Sequence, residues 1–239
     1  DPNTIVYTVI AISYDKRFVG YLTIADEIKE DAQDAVNNLH NLKVKTTMLS
    51  GDKTTVVKYV ADKLGIESGH VETVHSYTND QNLLDNYHKS YRRGRSAPLN
   101  MVITETGAAS AITKVIPAMA GKFTGNAVRV PTPDVSLAIL NLNLSTEVNS
   151  IDEVNAIIRD AATHGELVEQ IDYSTSQELV STDCVGNPHA SILDSHATLI
   201  SPSKKSIVLY VWYDNEYGYT RQVIRLAKYL GKVQRLTYY

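Results

Sequence analysis

The sequence predicts two joined parts: an α/β fragment over residues 1–64 and an α+β domain with a large antiparallel or mixed sheet over residues 65–239. Strand and helix patterns alternate in the first part, which is typical of α/β units with right-handed crossovers. Many strands with few intervening helices follow in the second part, which favours an α+β domain. The hydrophobic fraction of 43% and the charged fraction of 21% are ordinary for a globular protein.

The composition of the chain limits its partners and its compartment. The net charge is −4, so composition suggests neither a nucleic acid nor an anionic membrane as a partner. Cys184 is the single cysteine, which excludes an internal disulfide and makes a reducing compartment the default. No apolar run approaches the ~20 residues that a membrane helix needs, and the first residues lack the pattern of a signal peptide. These features together predict a cytoplasmic protein without a membrane segment.

The first part is predicted to contain a hairpin followed by helix, strand and helix. Thr4–Ile12 and Phe18–Ile24 are rich in β-branched and aromatic residues and flank a polar turn. Apolar residues recur at helical spacing over residues 32–42 and again over residues 54–64. Val44–Leu49 is predicted to be a short strand between the two helices.

A glycine turn, Ser50-Gly51-Asp52-Lys53, lies between that strand and the second helix. Such a turn presents backbone N–H groups and the positive end of a helix, which suit an anion. Ser50 and Asp52 can instead simply cap the helix, and local chemistry alone favours the cap. The residues by themselves leave both interpretations open.

The first part resembles the phosphorylation domain of heavy-metal P-type ATPases, which has a haloacid-dehalogenase-like fold. The similarity rests on V-G-Y-L-T-I-A-D-E-I-K-E-D-A, V-K-T-T-M-L-S-G-D-K and A-D-K-L-G-I. It implies that Ser50, Gly51 and Asp52 form the loop that contacts a phosphoryl group. The D-K-T-G acceptor segment and the G-D-G-x-N-D magnesium loop of that family do not occur in this sequence. Phosphoryl transfer would lack its nucleophile, and magnesium is expected only if this part were functional.

The second part begins with a predicted strand, Gly69–Thr78, that carries His75 and Thr78 into a long polar loop. A loop as long as Asn79–Ala97 inside a compact domain is usually functional or a contact surface. Its three arginines form either a solvated charge run, which is the commonest case, or an anion clamp.

A second Thr-Gly pair, Thr106-Gly107, is predicted to open a helix after the short strand Asn100–Thr104. The helix is expected to end before Pro117. A threonine hydroxyl and free N–H groups at a helix start can bind phosphate, but they can equally be a cap.

The remaining elements follow from alternation and helical spacing. The segments L-N-L-N-L and Ser150-x-x-Glu153 predict a half-buried strand and a capping box, respectively. The helix after the box is predicted to bury Ile151, Val154, Ile157 and Ala161, and the last helix to bury Val223, Ile224, Ala227 and Leu230. The predicted strands are Lys122–Val130, Val135–Leu144, Leu167–Ile171, Ala190–Asp194, Ala197–Ile200 and Ser206–Asp214.

From Gly65 to Tyr239 the chain resembles the catalytic domain of phosphorylating glyceraldehyde-3-phosphate dehydrogenases. The similarity rests on H-S-Y-T-N-D-Q, Y-R-R-G-R, I-T-E-T-G-A, G-K-F-T-G-N-A-V-R-V-P-T-P, V-S-T-D-C-V-G-N-P-H and W-Y-D-N-E-Y-G-Y. Several long motifs in the family's order make chance improbable. The resemblance implies an oxidoreductase that uses NAD and phosphate to oxidise an aldehyde.

The resemblance also implies roles for single residues. His75 would be the base that activates a cysteine thiolate, a task that suits an imidazole. Thr78 and Arg129 would bind the phosphate of the substrate. Thr106 and Gly107 would bind the attacking inorganic phosphate, and Arg93 would lie near both anion sites. Asn215 would hold the nicotinamide carboxamide, and Tyr219 would pack near that ring.

Two parts of the family's reacting set are not matched by this sequence. Counting back from His75 without a gap, the position of the nucleophilic cysteine falls on Met48. Cys184 lies where relatives carry an apolar residue, so a buried structural thiol is expected there. No G-x-G-x-x-G follows a strand, so a dinucleotide site built from this sequence alone is not supported, and the family's NAD-binding half is not matched.

Taken together, the patterns predict a dehydrogenase-family domain whose reaction is absent or impaired. The helix over residues 54–64 fits both resemblances, so a chimera could join there without breaking local structure. Phosphate or a phosphorylated small molecule and a homo-oligomer are the expected partners, and no metal is expected. The alternatives are a fragment of a cation-transporting P-type ATPase and a non-catalytic chimera that binds phosphate or assembles.

Overall fold

The computed structural model describes residues 8–14, 17–24, 60–61, 63–165 and 167–233. The chain divides into two compact units, Asp1–Met48 and Leu49–Tyr239. The predicted helix over residues 32–42, the strand after it and the loop of Ser50, Gly51 and Asp52 lie outside the described residues. The domain boundary predicted after residue 64 stays a prediction.

The first unit contains an antiparallel hairpin of β1 (Thr8–Tyr14) and β2 (Arg17–Ile24). This confirms the predicted hairpin. A bulge between Ile12 and Ser13 shifts the register. The strands also extend into residues that were expected to form the polar turn. Aromatic residues favour strands, so the end of the two-stranded ribbon can include them.

The second unit is built on a mixed sheet, as predicted. In the described residues its strands run in the order β4-β5-β3-β6-β10-β8-β7, with β9 paired to β10. The pairs β3–β5 and β7–β8 are parallel, and the other pairs are antiparallel. The strands are β3 (Ile66–Ser76), β4 (Val102–Thr104), β5 (Phe123–Val130), β6 (Ser136–Leu144), β7 (Ile171–Ser174), β8 (Ser191–Asp194), β9 (Leu199–Ile200) and β10 (Ser206–Tyr213). The α-helices are α1 (Ala108–Val115), α2 (Ile151–Thr163) and α3 (Tyr217–Leu230).

One face of the sheet forms the core beneath α1 and α2. In β6 the leucines Leu140, Leu142 and Leu144 are buried, and the asparagines between them are exposed, as alternation predicts. Ile112 of α1 and Ile158 of α2 belong to the same buried cluster. Each such side chain stabilises the fold by roughly 1.5–3 kcal/mol through the burial of apolar surface. This packing fixes the strand ends that carry the candidate site.

The predicted N-cap Ser150 starts α2, but the second bond of the predicted capping box is made by the N–H of Asn149, one residue before the N-cap, instead of that of Ser150. The Ser150 hydroxyl accepts a hydrogen bond from the Glu153 N–H at 3.1 Å, and the Glu153 carboxylate accepts one from the Asn149 N–H at 2.7 Å. The buried face of α2 is Val154, Ile158 and Ala161. Ile151 was wrongly placed in this face: it lies at the first turn and is 41% exposed.

Two further expectations about the C-terminal elements were wrong. Residues 167–170 form a turn, closed by the N–H groups of Gln170 and Ile171 on the Leu167 carbonyl, so β7 starts only at Ile171. The apolar residues of α3 are largely exposed, with Ile224 at 40% and Leu230 at 46%. A polar residue fixes α3 instead: the buried Gln222 amide donates to the carbonyls of Glu169 and Pro188, both at 3.0 Å.

Candidate anion site at the ends of two parallel strands

The site begins where β3 and β5 end side by side. The two strands are parallel, and His75 pairs in register with Arg129. Carboxyl ends of parallel strands meet at one edge of a sheet, which is where ligands commonly bind in open sheets. The register therefore puts an imidazole next to a guanidinium at such an edge. The sequence separates these two residues by 54 positions, so only the strand pairing brings them together.

The guanidinium of Arg129 contacts both polar atoms at the end of β3. Its Nη1 lies 2.8 Å from Nδ1 of His75 and 3.1 Å from the main-chain oxygen of Ser76. That oxygen lies 2.6 Å from Nδ1. The ring of Tyr213 from β10 packs edge-on against the imidazole, with 6.1 Å between ring centroids. The imidazole is thus held on two sides.

A second guanidinium acts on Arg129. Burial lowers the pKa of Arg129, and the positive charge of Arg93 lowers it further. Arg93 lies in a 3-10 turn over Tyr91–Gly94 and forms an ion pair with Asp80. It also lines a cleft of about 430 Å³ between this turn and β4. We call His75, Arg129 and Arg93 the cationic corner; an anion close to both guanidinium groups would offset the repulsion that lowers the pKa of Arg129.

The other predicted phosphate ligands lie on neighbouring loops. Thr78 follows β3 by two residues, in a turn closed by the Gln81 N–H on its carbonyl at 2.9 Å. Gly107 is the N-cap residue of α1, and the Thr106 hydroxyl accepts from the Ala108 N–H at 3.2 Å. Thr106 therefore makes a turn contact one residue before the N-cap, and Gly107, which is the N-cap, has no side chain to cap the helix. Whether these residues also bind phosphate stays a prediction.

The predicted cofactor residues lie in the loop after β10 and on α3. The side-chain oxygen of Asn215 accepts hydrogen bonds from two buried hydroxyls, Ser76 at 3.2 Å and Ser136 at 3.1 Å. These bonds tie the loop to the ends of β3 and β6, and the NH₂ group of Asn215 donates to the Glu216 carboxylate at 3.4 Å. Tyr219 lies on α3 and is 43% exposed. Whether Asn215 and Tyr219 hold a nicotinamide stays a prediction.

Two features at this edge were missed by sequence reasoning. Asp214 is buried and accepts the N–H groups of Gly186, Glu216 and Tyr217, which fixes the start of α3. Val135 has a φ of 65°, an uncommon angle for a β-branched residue, directly before Ser136. The P-T-P segment marks a turn here, but nothing in it reveals the sign of φ.

Cys184 lies in a very different environment. It is buried with Val135, Ile192 and Trp212. Trp212 and Tyr213 are adjacent in β10, so their side chains point to opposite faces of the sheet, and Tyr213 is the one that contacts His75. Burial raises the pKa of the Cys184 thiol to about 11, and four carboxylates add to the effect. We call Cys184 and these carboxylates the acidic corner: Asp183, Asp172, Asp194 and Asp214.

The described residues were also searched for metal and membrane features. They include no group of three or more histidine, cysteine or carboxylate side chains placed to hold a metal ion. None of the described helices combines the length and apolar character that crossing a bilayer needs.

Comparison with known families gives two matches. The model of the glyceraldehyde 3-phosphate dehydrogenase C-terminal domain matches residues 51–215, and the model of haloacid dehalogenase-like hydrolases matches residues 4–90. The two matches overlap around the helix that the sequence patterns assigned to both resemblances. The comparison supports a haloacid-dehalogenase-like N-terminal region but does not reach the finer P-type ATPase assignment.

Individual relatives support the first match. The chain is 58% identical to a glyceraldehyde-3-phosphate dehydrogenase-like protein of Pseudomonas aeruginosa over 178 residues, which is 74% of this chain and 38% of the relative. It is 42% identical to glyceraldehyde-3-phosphate dehydrogenase 1 of Bacillus subtilis over 211 residues, 88% of this chain and 61% of the relative. The second similarity covers more residues than lie between Gly65 and Tyr239. The chain spans 38% to 61% of the length of these two relatives.

Proposed function

This chain belongs to the glyceraldehyde-3-phosphate dehydrogenase family, and on that premise we propose that its cationic corner binds phosphate or a phosphorylated small molecule. The observation that carries the proposal is the half-buried Arg129 guanidinium, which faces the charge of Arg93 and lies against His75. Charge-assisted hydrogen bonds from arginine to phosphate are strong and geometrically specific. An anion at this corner would offset the repulsion between the two guanidinium groups.

Within this proposal the residues divide into two phosphate sets. Arg129 and Thr78 hold the phosphate of the substrate, Thr106 and Gly107 hold inorganic phosphate, and Arg93 contributes its charge near both. His75 is the base beside the first set. The family implies NAD as cofactor, with Asn215 and Tyr219 at the nicotinamide end. When bound, NAD supplies the acceptor for a hydride; the role of Asn215 is to donate a hydrogen bond to the carboxamide oxygen.

The proposed reaction is absent or impaired in these 239 residues because the family chemistry needs a thiolate beside the base. The single cysteine, Cys184, is buried among carboxylates that oppose its ionisation. Met48, the residue at the nucleophile position in an ungapped count, lies outside the described residues, and a thioether cannot form a thiohemiacetal. The proposal is therefore a ligand-binding domain of the dehydrogenase family without the family's full turnover.

Thermal unfolding in inorganic phosphate tests the binding proposal. A ligand at 100 times its Kd stabilises the folded state by about 2.7 kcal/mol, which is a measurable rise in Tm. Arg129→Ala is expected to abolish this rise. Arg92→Ala, which removes an exposed arginine of the same loop, is the matched control and is expected to keep most of it. Equal phosphate stabilisation in the wild type and Arg129→Ala would refute the site.

We also propose that the chain forms a homo-oligomer. The segment between β3 and β4 exposes several large apolar side chains, and such a concentration of exposed apolar surface is typical of a contact surface. The largest exposed fractions are 78% for Leu84, 84% for Tyr87, 87% for Tyr91, 82% for Leu99 and 77% for Met101. Light scattering at micromolar concentration should give a mass above 26.4 kDa, and the monomer mass would exclude the proposal for this chain.

A second candidate function is phosphoryl transfer by the N-terminal part. The match of residues 4–90 to haloacid dehalogenase-like hydrolases favours it. Against it, the sequence lacks both the D-K-T-G acceptor and the G-D-G-x-N-D magnesium loop of P-type ATPases. Release of phosphate from acetyl phosphate or ATP with magnesium would support this function. Inertness toward both would remove it without touching the proposal for the cationic corner.

A further inference from the structure

One nitrogen of Arg129 lies between two hydrogen-bond acceptors. Nη1 reaches both Nδ1 of His75 and the main-chain oxygen of Ser76, and these two atoms are only 2.6 Å apart. A carbonyl oxygen can only accept, and a guanidinium nitrogen can only donate. The imidazole nitrogen is the one member of the trio that can do either.

The two possible bonds of Nδ1 exclude each other. When Nδ1 accepts from Arg129, it carries no proton, and in a neutral imidazole the proton is then on Nε2. When Nδ1 carries the proton, it donates to the Ser76 oxygen, and the N–H groups of Arg129 then point at a ring N–H and must turn away. Without either bond, two lone pairs would face each other at hydrogen-bond distance. Nδ1 therefore either accepts a hydrogen bond from Arg129 or carries a proton that it donates to the Ser76 oxygen, but not both at once.

We propose that an anion bound to Arg129 switches the tautomer of His75, so that Nε2 becomes basic only when the anion is present. In the anion-free state Nη1 bridges Nδ1 and the Ser76 oxygen, and Nε2 holds the proton. An anion draws the guanidinium onto its own oxygens, and Nδ1 then takes a proton from water and donates to the Ser76 oxygen. Nε2 releases its proton to water, so the imidazole stays neutral and the proton count is unchanged.

As a consequence, Nε2 of His75 can act as a base only after the ligand has bound. This inference rests on the proposed function, because it requires that the anion at Arg129 is the phosphate described above. Arg129 would then be a positioning residue for His75 as well as a phosphate ligand. The charge of Arg93 adds to the tendency of Arg129 to turn toward an anion. General-base catalysis needs the acceptor nitrogen to be unprotonated, and this arrangement would provide it only in the liganded state.

Nitrogen-15 NMR of the imidazole side chains tests the tautomer directly, since protonated and unprotonated ring nitrogens resonate in separate ranges. The chain has seven histidines, and the His75 signals are those lost in His75→Gln. Spectra are recorded at a pH well above about 6.5, where unperturbed histidine is neutral. We expect the Nδ1 and Nε2 assignments to interchange when inorganic phosphate is added.

Two variants make the test independent of ligand binding. Arg129→Met removes Nη1, so its spectrum without phosphate should already show a protonated Nδ1. Arg93→Met removes the neighbouring charge but keeps the Nη1 contact, so its anion-free spectrum should match the wild type. Because Arg129 is only partly buried at a strand end, both variants are expected to fold.

The outcomes separate the inference from the proposed function. Phosphate that binds, by a saturable change in other signals, without interchanging the His75 nitrogens would overturn the switch and leave the binding site intact. No phosphate binding at all would overturn both the proposed function and a switch driven by phosphate, and Arg129→Met would then test only whether Nη1 sets the tautomer of His75. An Arg129→Met spectrum with Nδ1 unprotonated, as in the wild type, would refute the role of Nη1.

Discussion

The cationic corner contains the predicted base, His75, and the acidic corner contains the single cysteine of the sequence, and the two corners have opposite electrostatics. His75 lies against Arg129, whose pKa is lowered by burial and by the charge of Arg93. Burial, with a further contribution from the neighbouring carboxylates, raises the pKa of the Cys184 thiol to about 11. Tyr213 and Trp212 place the two groups on opposite faces of β10. The difference indicates that the base is placed for an anion and the thiol for packing.

The largest expected effect concerns the reactivity of Cys184. With a pKa of about 11, its thiolate fraction near neutral pH is about 10⁻⁴, against about 3% for an unperturbed cysteine. Iodoacetamide should therefore label the folded protein at least about 100-fold more slowly than the protein in urea, because ionisation and access both improve on unfolding. Mass spectrometry of the intact chain follows the reaction. Labelling of the folded protein at the rate seen in urea would show that the acidic corner does not protect the thiol.

A smaller effect is expected from freeing Arg93. Its ion pair with Asp80 is partly exposed, and such pairs contribute about 0.2–1 kcal/mol. Asp80→Asn should therefore increase phosphate affinity by up to about fivefold, since 1.4 kcal/mol is a factor of ten in Kd. Asp85→Asn is the matched control: it weakens the pair with Arg95 in the same loop and should leave the affinity unchanged. Titration calorimetry that ranks the two variants in the opposite order would contradict the role of Arg93.

The smallest effect is a pH dependence at Asp134, near the acidic corner. Burial raises the pKa of Asp134, with further contributions from Asp214 and Glu216. The folded state therefore binds this proton more tightly than the unfolded state. The protonated carboxyl favours folding below its unfolded pKa, and this contribution is lost as the pH rises through its folded pKa. Asp134→Asn should raise the free energy of unfolding at neutral pH.

The sign of that pH dependence gives the check. The stabilisation by Asp134→Asn should shrink as pH falls toward the unfolded pKa of about 3.9. Urea titrations at neutral pH and at a pH near the unfolded pKa measure this stabilisation, with the exposed Glu178→Gln as control. A benefit that grows on acidification would mean that the carboxyl is stabilised as an anion in the folded state.

Local patterns predicted much of the scaffold but little of the site. The leucines of β6 and the Ser150 cap could be predicted because each depends on residues a few positions apart. The contact between His75 and Arg129 depends on the register of two parallel strands, which no local pattern specifies. The family motifs pointed to both residues, but they did not indicate that one nitrogen of Arg129 bridges His75 and Ser76.

The last helix shows where periodicity fails. Its apolar stripe predicted a buried face, yet Ile224 and Leu230 are substantially exposed and Gln222 is the buried anchor. Helical spacing reports that two faces differ, but it does not report which face meets the sheet. The buried amide of Gln222 depends on carbonyls more than 30 positions away in the chain, so its role could not be inferred from neighbours in sequence.

The separation of base and thiol is tested most directly by NADH absorbance, measured with the purified, folded protein, NAD, phosphate and glyceraldehyde-3-phosphate. His75→Ala is the control, and circular dichroism confirms the fold of both proteins. We expect no NADH above the control, because His75 has no ionised thiol beside it in this chain. NADH production that depends on His75 would contradict the account and would mean that a nucleophile and a cofactor site are assembled at the cationic corner.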